Sequence, residues 1–144
     1  MFARIVVPAD LTDRNREAVA MASRVAAPDG TICLLHVIET IPGVAVDEEK
    51  EFYEKLEKKA SVFLGELGDT LSAQNIRWSA EVVYGSRAQT ILDEAKKLDA
   101  DLIVIRSHRI DRESAGQSGQ SGMGFGTLSY QVGILAECSV LLVK

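Results

Sequence analysis

The chain has 144 residues, 47% of them hydrophobic and 26% charged, with a formal net charge of -5. This balance fits one soluble globular domain able to bury a core, and it excludes partners held by neutralising many phosphates, as DNA and RNA generally are. No stretch approaches the roughly 20 apolar residues of a membrane span, and the apolar run in "MFARIVVPAD" is too short for a secretory signal, so a cytoplasmic protein with no membrane or nucleic-acid partner is expected.

"RIVVPAD" (Arg4–Asp10) is a short β-branched run that closes on an acidic residue. From Thr12 the spacing becomes helical through Ala18, Val19, Ala22, Val25 and Ala26, with Thr12 or Asp13 placed to cap the helix and Pro28-Asp29-Gly30 to end it as a turn. "TICLLHVI" (Thr31–Ile38) is apolar almost throughout, as a strand covered on both faces of a parallel sheet should be. Phe52, Leu56, Ala60, Phe63, Leu64, Leu67 and Leu71 then recur every three or four positions, the mark of a long amphipathic helix. In "RWSAEVVY" (Arg77–Tyr84) larger apolar residues alternate with polar ones, which predicts a strand at the sheet edge. Gly85 breaks it. Ala88, Ile91, Leu92, Ala95 and Leu98 mark a third helix, "DLIVI" from Asp101 a fourth strand running into Arg106, Gly126 to Glu137 a last helix, and "SVLLVK" (Ser139–Lys144) a fifth strand.

Strands alternating with helices predict an α/β fold with a parallel sheet, helices on both faces and right-handed crossovers. Open sheets of this kind take ligands outside the carboxyl ends of their strands, where the strand order reverses. Three segments then meet in one crevice: Pro8-Ala9-Asp10, His36-Val37-Ile38, and the chain from Arg106 onward.

Several chemistries fail there. Gly119 to Gly124 has the spacing of a Walker-A loop, but Phe125 and Gly126 stand where Lys and Ser/Thr are required. The first strand-to-helix turn, "PADLTD", lacks the glycines of a dinucleotide fingerprint. Ser107-His108 is the only Ser/His neighbour pair, and adjacent residues on a turn point apart. His36 reads as a satisfied core histidine, two lone histidines make no metal site, and Cys33 and Cys138 read as reduced structural thiols. A binding site survives. N–H groups at the start of the last helix attract anionic oxygens, Gly126 admits them closely, and Thr127 adds a hydroxyl. Asp10 is placed either to accept from ribose hydroxyls or to shape a turn, and Val37 either to offer main-chain groups to an adenine edge or simply to pack.

"RIVVPAD", "LLHVIE", "ILDEAKKLDADLIVI" and "GTLSYQVGILAECSVLLVK" together resemble the universal stress protein family over nearly the whole chain. The resemblance implies a three-layer sandwich of the adenine nucleotide alpha hydrolase-like kind, a five-stranded parallel sheet in the order 3-2-1-4-5. It also implies a homodimer through the fifth strand, Ser139 to Lys144, and ATP or AMP with magnesium in the crevice, without catalysis beyond slow ATP hydrolysis. The residues it nominates are Pro8, Ala9, Asp10, Val37, Ile105, Arg106, Arg109, Gly126, Thr127 and Leu128.

Nucleotide-binding members follow G-x2-G-x9-G-[ST] after the fourth strand. Gly126-Thr127 fits the closing pair, whereas Arg106 and Arg109 replace the opening glycines and residues 110 to 125 make a longer spacer. Forcing arginine into left-handed geometry costs about 1–2 kcal/mol and adds a large side chain. Two readings stay open. If Arg106 and Arg109 turn inward, their guanidinium groups replace the lost main-chain contacts to phosphate. If they turn outward, toward Asp111 and Glu113 for instance, the segment is a Gly/Ser surface loop, the protein holds no cofactor, and it is a dimeric interaction module with a degenerate phosphate loop.

Overall fold

The computed structural model describes residues 1–107 and 127–144. In chain order these form β1 (Phe2–Pro8), α1 (Asn15–Val25), β2 (Ala26–Ile38), a 3-10 turn (Val46–Glu49), α2 (Lys50–Ser72), β3 (Arg77–Tyr84), α3 (Arg87–Lys97), β4 (Leu102–Arg106), α4 (Leu128–Leu135) and β5 (Ser139–Val143). All strand pairs are parallel and the order is β3-β2-β1-β4-β5. The chain winds outward from β1 to β3, then returns to the other side of β1, so winding reverses between β1 and β4.

The period of two along each strand divides the sheet into two packed faces. Ile5 and Val7, Ile32 and Leu34, and Leu102 and Val104 point to one side, beneath Ala18, Val19 and Ala22 of α1 and Leu64, Leu67 and Leu71 of α2. Val6, Cys33, Leu35, Val37, Ile103 and Ile105 point to the other, beneath Ile91 and Ala95 of α3 and Val132 of α4. Both faces are covered, which is why the three inner strands read as unbroken apolar runs.

Several boundaries differ from the sequence reading. Pro28-Asp29-Gly30 does not separate a helix from a strand: β2 starts at Ala26, and its pairing with β1 jumps from Phe2 with Ala26 to Arg4 with Thr31. The extra residues bulge outward, and Gly30 is needed because a Cβ there would stand 2.9 Å from the Ala27 carbonyl oxygen and 3.0 Å from that of Phe2. At the start of α2 it is Tyr53 and not Phe52 that turns inward, while Phe63 packs against the core as expected; the Tyr53 ring meets Tyr84 edge-on at 5.5 Å and its hydroxyl accepts from the Ile41 N–H at 3.2 Å. The last helix runs only from Leu128 to Leu135, because Ala136 is already extended (ψ 141). Neither Thr12 nor Asp13 caps α1; the residue before the helix, Arg14, makes no side-chain cap bond. Cys33 is buried, Cys138 half-buried, and neither is in a disulfide.

Among the described residues, no helix is long and apolar enough to cross a membrane.

Candidate functional site

β1 and β4 are paired only through Ile5 with Leu102 and Val6 with Ile103. Pro8, with no N–H to donate, closes β1, and past that point the two strands part. A cavity of about 250 Å³ opens there, at the point where the winding reverses. Pro8, Ala9, Asp10, Val37, Ile105, Arg106, Thr127 and Leu128 all line it, together with Asn15, Leu35, His36, Arg87, Ile91 and Ser129. Arg109 and Gly126 lie outside the described residues.

Asp10 is held by its own turn. Its Oδ1 accepts from the Thr12 N–H at 3.0 Å, the Thr12 hydroxyl at 2.5 Å and the Asn15 amide at 2.7 Å. Asn15 is 2% exposed, and its amide also reaches the Asp10 and Thr12 carbonyls at 2.6 and 2.7 Å. The turn role foreseen for Asp10 is therefore filled, and it fixes the carboxylate at the cavity wall.

The end of β1 is pinned sideways to β2. The Ala9 N–H donates to the Leu35 carbonyl at 2.8 Å, and His36 Nδ1 lies 2.7 Å from the Ala9 carbonyl. A carbonyl only accepts, so Nδ1 carries the hydrogen; the ring is half-buried and lines the cavity, and is not the core histidine that the sequence suggested. Because main-chain groups alternate sides along a strand, Leu35 facing β1 means that Val37 faces the same way, beyond the last β1 residue. Ile38 agrees: its carbonyl accepts from Gly85 on the β3 side at 3.1 Å. The Val37 N–H and C=O are thus directed at the cavity, whose wall here is apolar.

Across the crevice, Thr127 precedes α4 in an extended conformation (φ -67, ψ 140) and makes no side-chain cap bond, while its carbonyl accepts from Gln131 at 3.0 Å. The first turn of α4 presents N–H groups without intrahelical partners, a partial positive charge at the cavity. Ser129 donates to the buried Ser107 at 3.3 Å, and Lys144 Nζ lies 3.5 Å from the same hydroxyl. Ser107 is thereby committed to α4 and β5 contacts.

Arg106 resolves half of the choice that the sequence left open. Its Nη1 donates to the Lys144 carbonyl at 2.6 Å and to the Glu17 carboxylate of α1, and its side chain is 22% exposed. Nε is buried and has no hydrogen-bond partner among the described residues. Arg106 lines the cavity, and its side chain is largely buried, tied to α1 and to the Lys144 carbonyl instead of turning out to solvent.

Asn15 and Arg87 are cavity residues that the sequence reading did not nominate. Asn15 gave a signal, a polar residue on the apolar side of a helix start. Arg87 gave another, the first helical residue after a strand that ends at the same edge of the sheet. Gly85 makes that delivery feasible: its φ of +152 suits glycine alone, and a Cβ there would stand 2.3 Å from Thr90 Oγ1. Arg87 also meets Glu39 at 3.8 Å.

The crevice lies at the switch point of a β3-β2-β1-β4-β5 sheet, floored by a helix start and walled by an acidic turn, and the fold is that of an open, doubly wound α/β domain. The family model for the universal stress protein family matches residues 1–144, and the chain belongs to that family. Universal stress protein YxiE of Bacillus subtilis is 26% identical over the full length of both chains. Among solved structures, hypothetical protein MJ0577 superposes with a TM-score of 0.80 at 22% identity, covering 100% of this chain and 96% of that one. A universal stress protein in complex with cAMP follows with a TM-score of 0.72 at 21% identity, covering 99% and 97%. Two other similar structures, from Arabidopsis thaliana and Archaeoglobus fulgidus, are complexes with AMP and dAMP.

Proposed function

We propose that this protein is a cytoplasmic universal stress protein that binds an adenine nucleotide, AMP or ATP with magnesium, in the crevice between β1 and β4, and that it acts as a regulatory domain without a dedicated catalytic apparatus. One observation carries the reading: the Asp10 carboxylate, the outward main chain of Val37 and the start of α4 surround a single cavity. Adenine is assigned to the Val37 main chain and the apolar wall of Leu35, Ile91 and Ile105, the ribose to Asp10, and the phosphates to Arg106, Thr127 and the first turn of α4, with Arg109 and Gly126 as further contacts. The complexes of relatives with cAMP, AMP and dAMP support the ligand class.

Titration of the purified chain with AMP and with magnesium ATP, by calorimetry and thermal shift, tests this. Saturable heat and a rise in Tm are expected, and Asp10→Ala should weaken affinity by about 10-fold or more, since hydrogen bonds to a charged group contribute about 1.5–3 kcal/mol. Absence of both signals at millimolar nucleotide rejects the proposal. The same proposal includes a homodimer through β5, which has no neighbour on its outer edge among the described strands and bears the exposed Leu142. Sedimentation of a monomer at micromolar concentration would remove that part.

A second reading, a dimeric interaction module that holds no nucleotide, is favoured by the contacts of Arg106 with Glu17 and Lys144 and by the cavity's 250 Å³, just below the roughly 300–1,000 Å³ of typical ligand sites. The same titration decides between them.

A further inference from the structure

Arg106 stands where the family pattern has its first glycine, yet it is neither idle nor fully satisfied. Nη1 is committed to the Glu17 carboxylate and the Lys144 carbonyl, while Nε, a donor on the side-on edge of the fork, is buried and has no partner among the described residues. A buried donor on a charged group is costly to leave unmade, and a fork of this shape matches phosphate oxygens two at a time. Glu17 is 62% exposed on α1, so its pairing with Arg106 is open to water and replaceable at small cost.

We propose that Arg106 is the residue that makes this cavity selective for a dianionic phosphomonoester, and that Glu17 is its internal competitor, holding the guanidinium until such a ligand displaces it. The inference rests on the nucleotide reading above and adds the charge class of the ligand. The charges set the preference. A phosphodiester carries one negative charge and merely equals the Glu17 carboxylate that it must replace. A phosphomonoester carries about -1.5 to -2 at pH 7 and three terminal oxygens, enough to hold the Nη1 side and fill the vacant Nε. A neutral nucleoside gains nothing from Arg106. The helix start at Thr127 adds to the same preference from across the cavity. Side-chain selection of this kind replaces the charge-indifferent main-chain cradle that glycines would provide.

The experiment compares AMP, cAMP and adenosine by calorimetry on the wild-type chain and on Arg106→Gln and Glu17→Gln, with Tm as the folding control. The expected order in the wild type is AMP, then cAMP, then adenosine, with AMP about 10-fold or more tighter than adenosine, a loss of one charged hydrogen-bond pair. Arg106→Gln should bring that ratio down to about 3-fold or less while leaving adenosine unchanged. Glu17→Gln should raise AMP affinity by about 3-fold or more and again leave adenosine unchanged. A wild-type ratio near one, or a ratio that neither substitution moves, overturns the selectivity role even though nucleotide binds. If none of the three compounds binds, the nucleotide reading is what fails, and inorganic phosphate becomes the probe. Phosphate that raises the Tm of the wild type and of Glu17→Gln but not of Arg106→Gln keeps the anion receptor; phosphate without effect ends it too.

Discussion

The two faces of the sheet are built differently. Over one lie α1 and α2, the latter a 23-residue helix whose buried positions include Ala60, Leu64, Leu67, Gly68 and Leu71; the buried cluster beneath them is aliphatic, with Phe2, Phe63 and Trp78 packed at its margin. Over the other lie α3 and α4, of 11 and 8 residues, and here Ser107, Ser129 and Glu94 are buried beside the apolar residues. α1 and α2 together cover the first face, whereas α3 and α4 cover the second. The two short ones leave the carboxyl end of theirs open, and the cavity occupies that gap. Cohesion is concentrated on one side and recognition on the other, so substitutions on the two sides should fail in different ways.

The largest expected effect is on the sealed face. Leu67 is fully buried there, and Leu67→Ala should cost about 2–5 kcal/mol, the usual range for a large aliphatic side chain replaced within a packed core. Nucleotide affinity, measured below the lowered Tm, should change by less than about 3-fold. Ile91→Ala on the open face should sit at the lower end of that stability range, because the side chain already borders free space, and should weaken nucleotide binding by more than Leu67→Ala does. Denaturant midpoints and calorimetry on the two variants check this; the opposite ranking would break the contrast between the faces.

Asn15 belongs to both sides, since it starts α1 and holds the Asp10 turn against the cavity. Asn15→Ala leaves two carbonyls and a carboxylate oxygen short of a donor, which should cost about 1–3 kcal/mol in denaturant unfolding and weaken nucleotide binding together with it. A loss of stability with unchanged affinity would mean that the turn matters to the fold alone.

The parallel sheet, its two edges and the three segments of the crevice were legible in the sequence because each rests on local pattern: apolar runs for the inner strands, alternation for Arg77–Tyr84, and strand ends followed by helix starts for the crevice. Elements that depend on distant partners were not. The Pro28-Asp29-Gly30 bulge is set by pairing with Phe2 and Arg4, not by its own turn chemistry. Phe52 and Tyr53 have equivalent claims to the helix face until Tyr84 supplies the contact that chooses between them. Arg106 had Asp111 and Glu113 nearby in sequence, yet its carboxylate is Glu17, 89 positions away, because β4 lies beside β1 and α1 packs against β4. Arg87 was missed for a related reason: the crevice rule counts the strands on either side of the reversal, whereas an edge strand also ends at that rim.

The smallest effect concerns the polar groups at the outer margin of the open face. Glu81 of β3 neighbours Leu35 in the ladder and shares its side of the sheet with Cys33, beneath Glu94 of α3. Its carboxyl is pushed above the ordinary range by burial first, and then by the hydrogen bond and charge of Glu94, with Lys97 pulling weakly the other way. Lys97 is committed chiefly to Glu94, at 3.0 Å. A carboxyl raised in the folded state holds its proton longer than the unfolded chain does, so the stability it contributes is complete below the unfolded value near pH 4 and is lost as pH climbs through the folded value. Glu81→Gln keeps the shape and an amide donor toward Glu94 while removing the titration. The variant should match the wild type near pH 4 and become the more stable of the two by pH 7, a widening gap in Tm of about a degree or two, given that roughly 1 kcal/mol moves Tm by a few degrees in a chain of this size. A gap that is constant across that range would mean that Glu81 is solvated in the folded protein, and the open face would then be wetter at its margin than its packing against α3 implies.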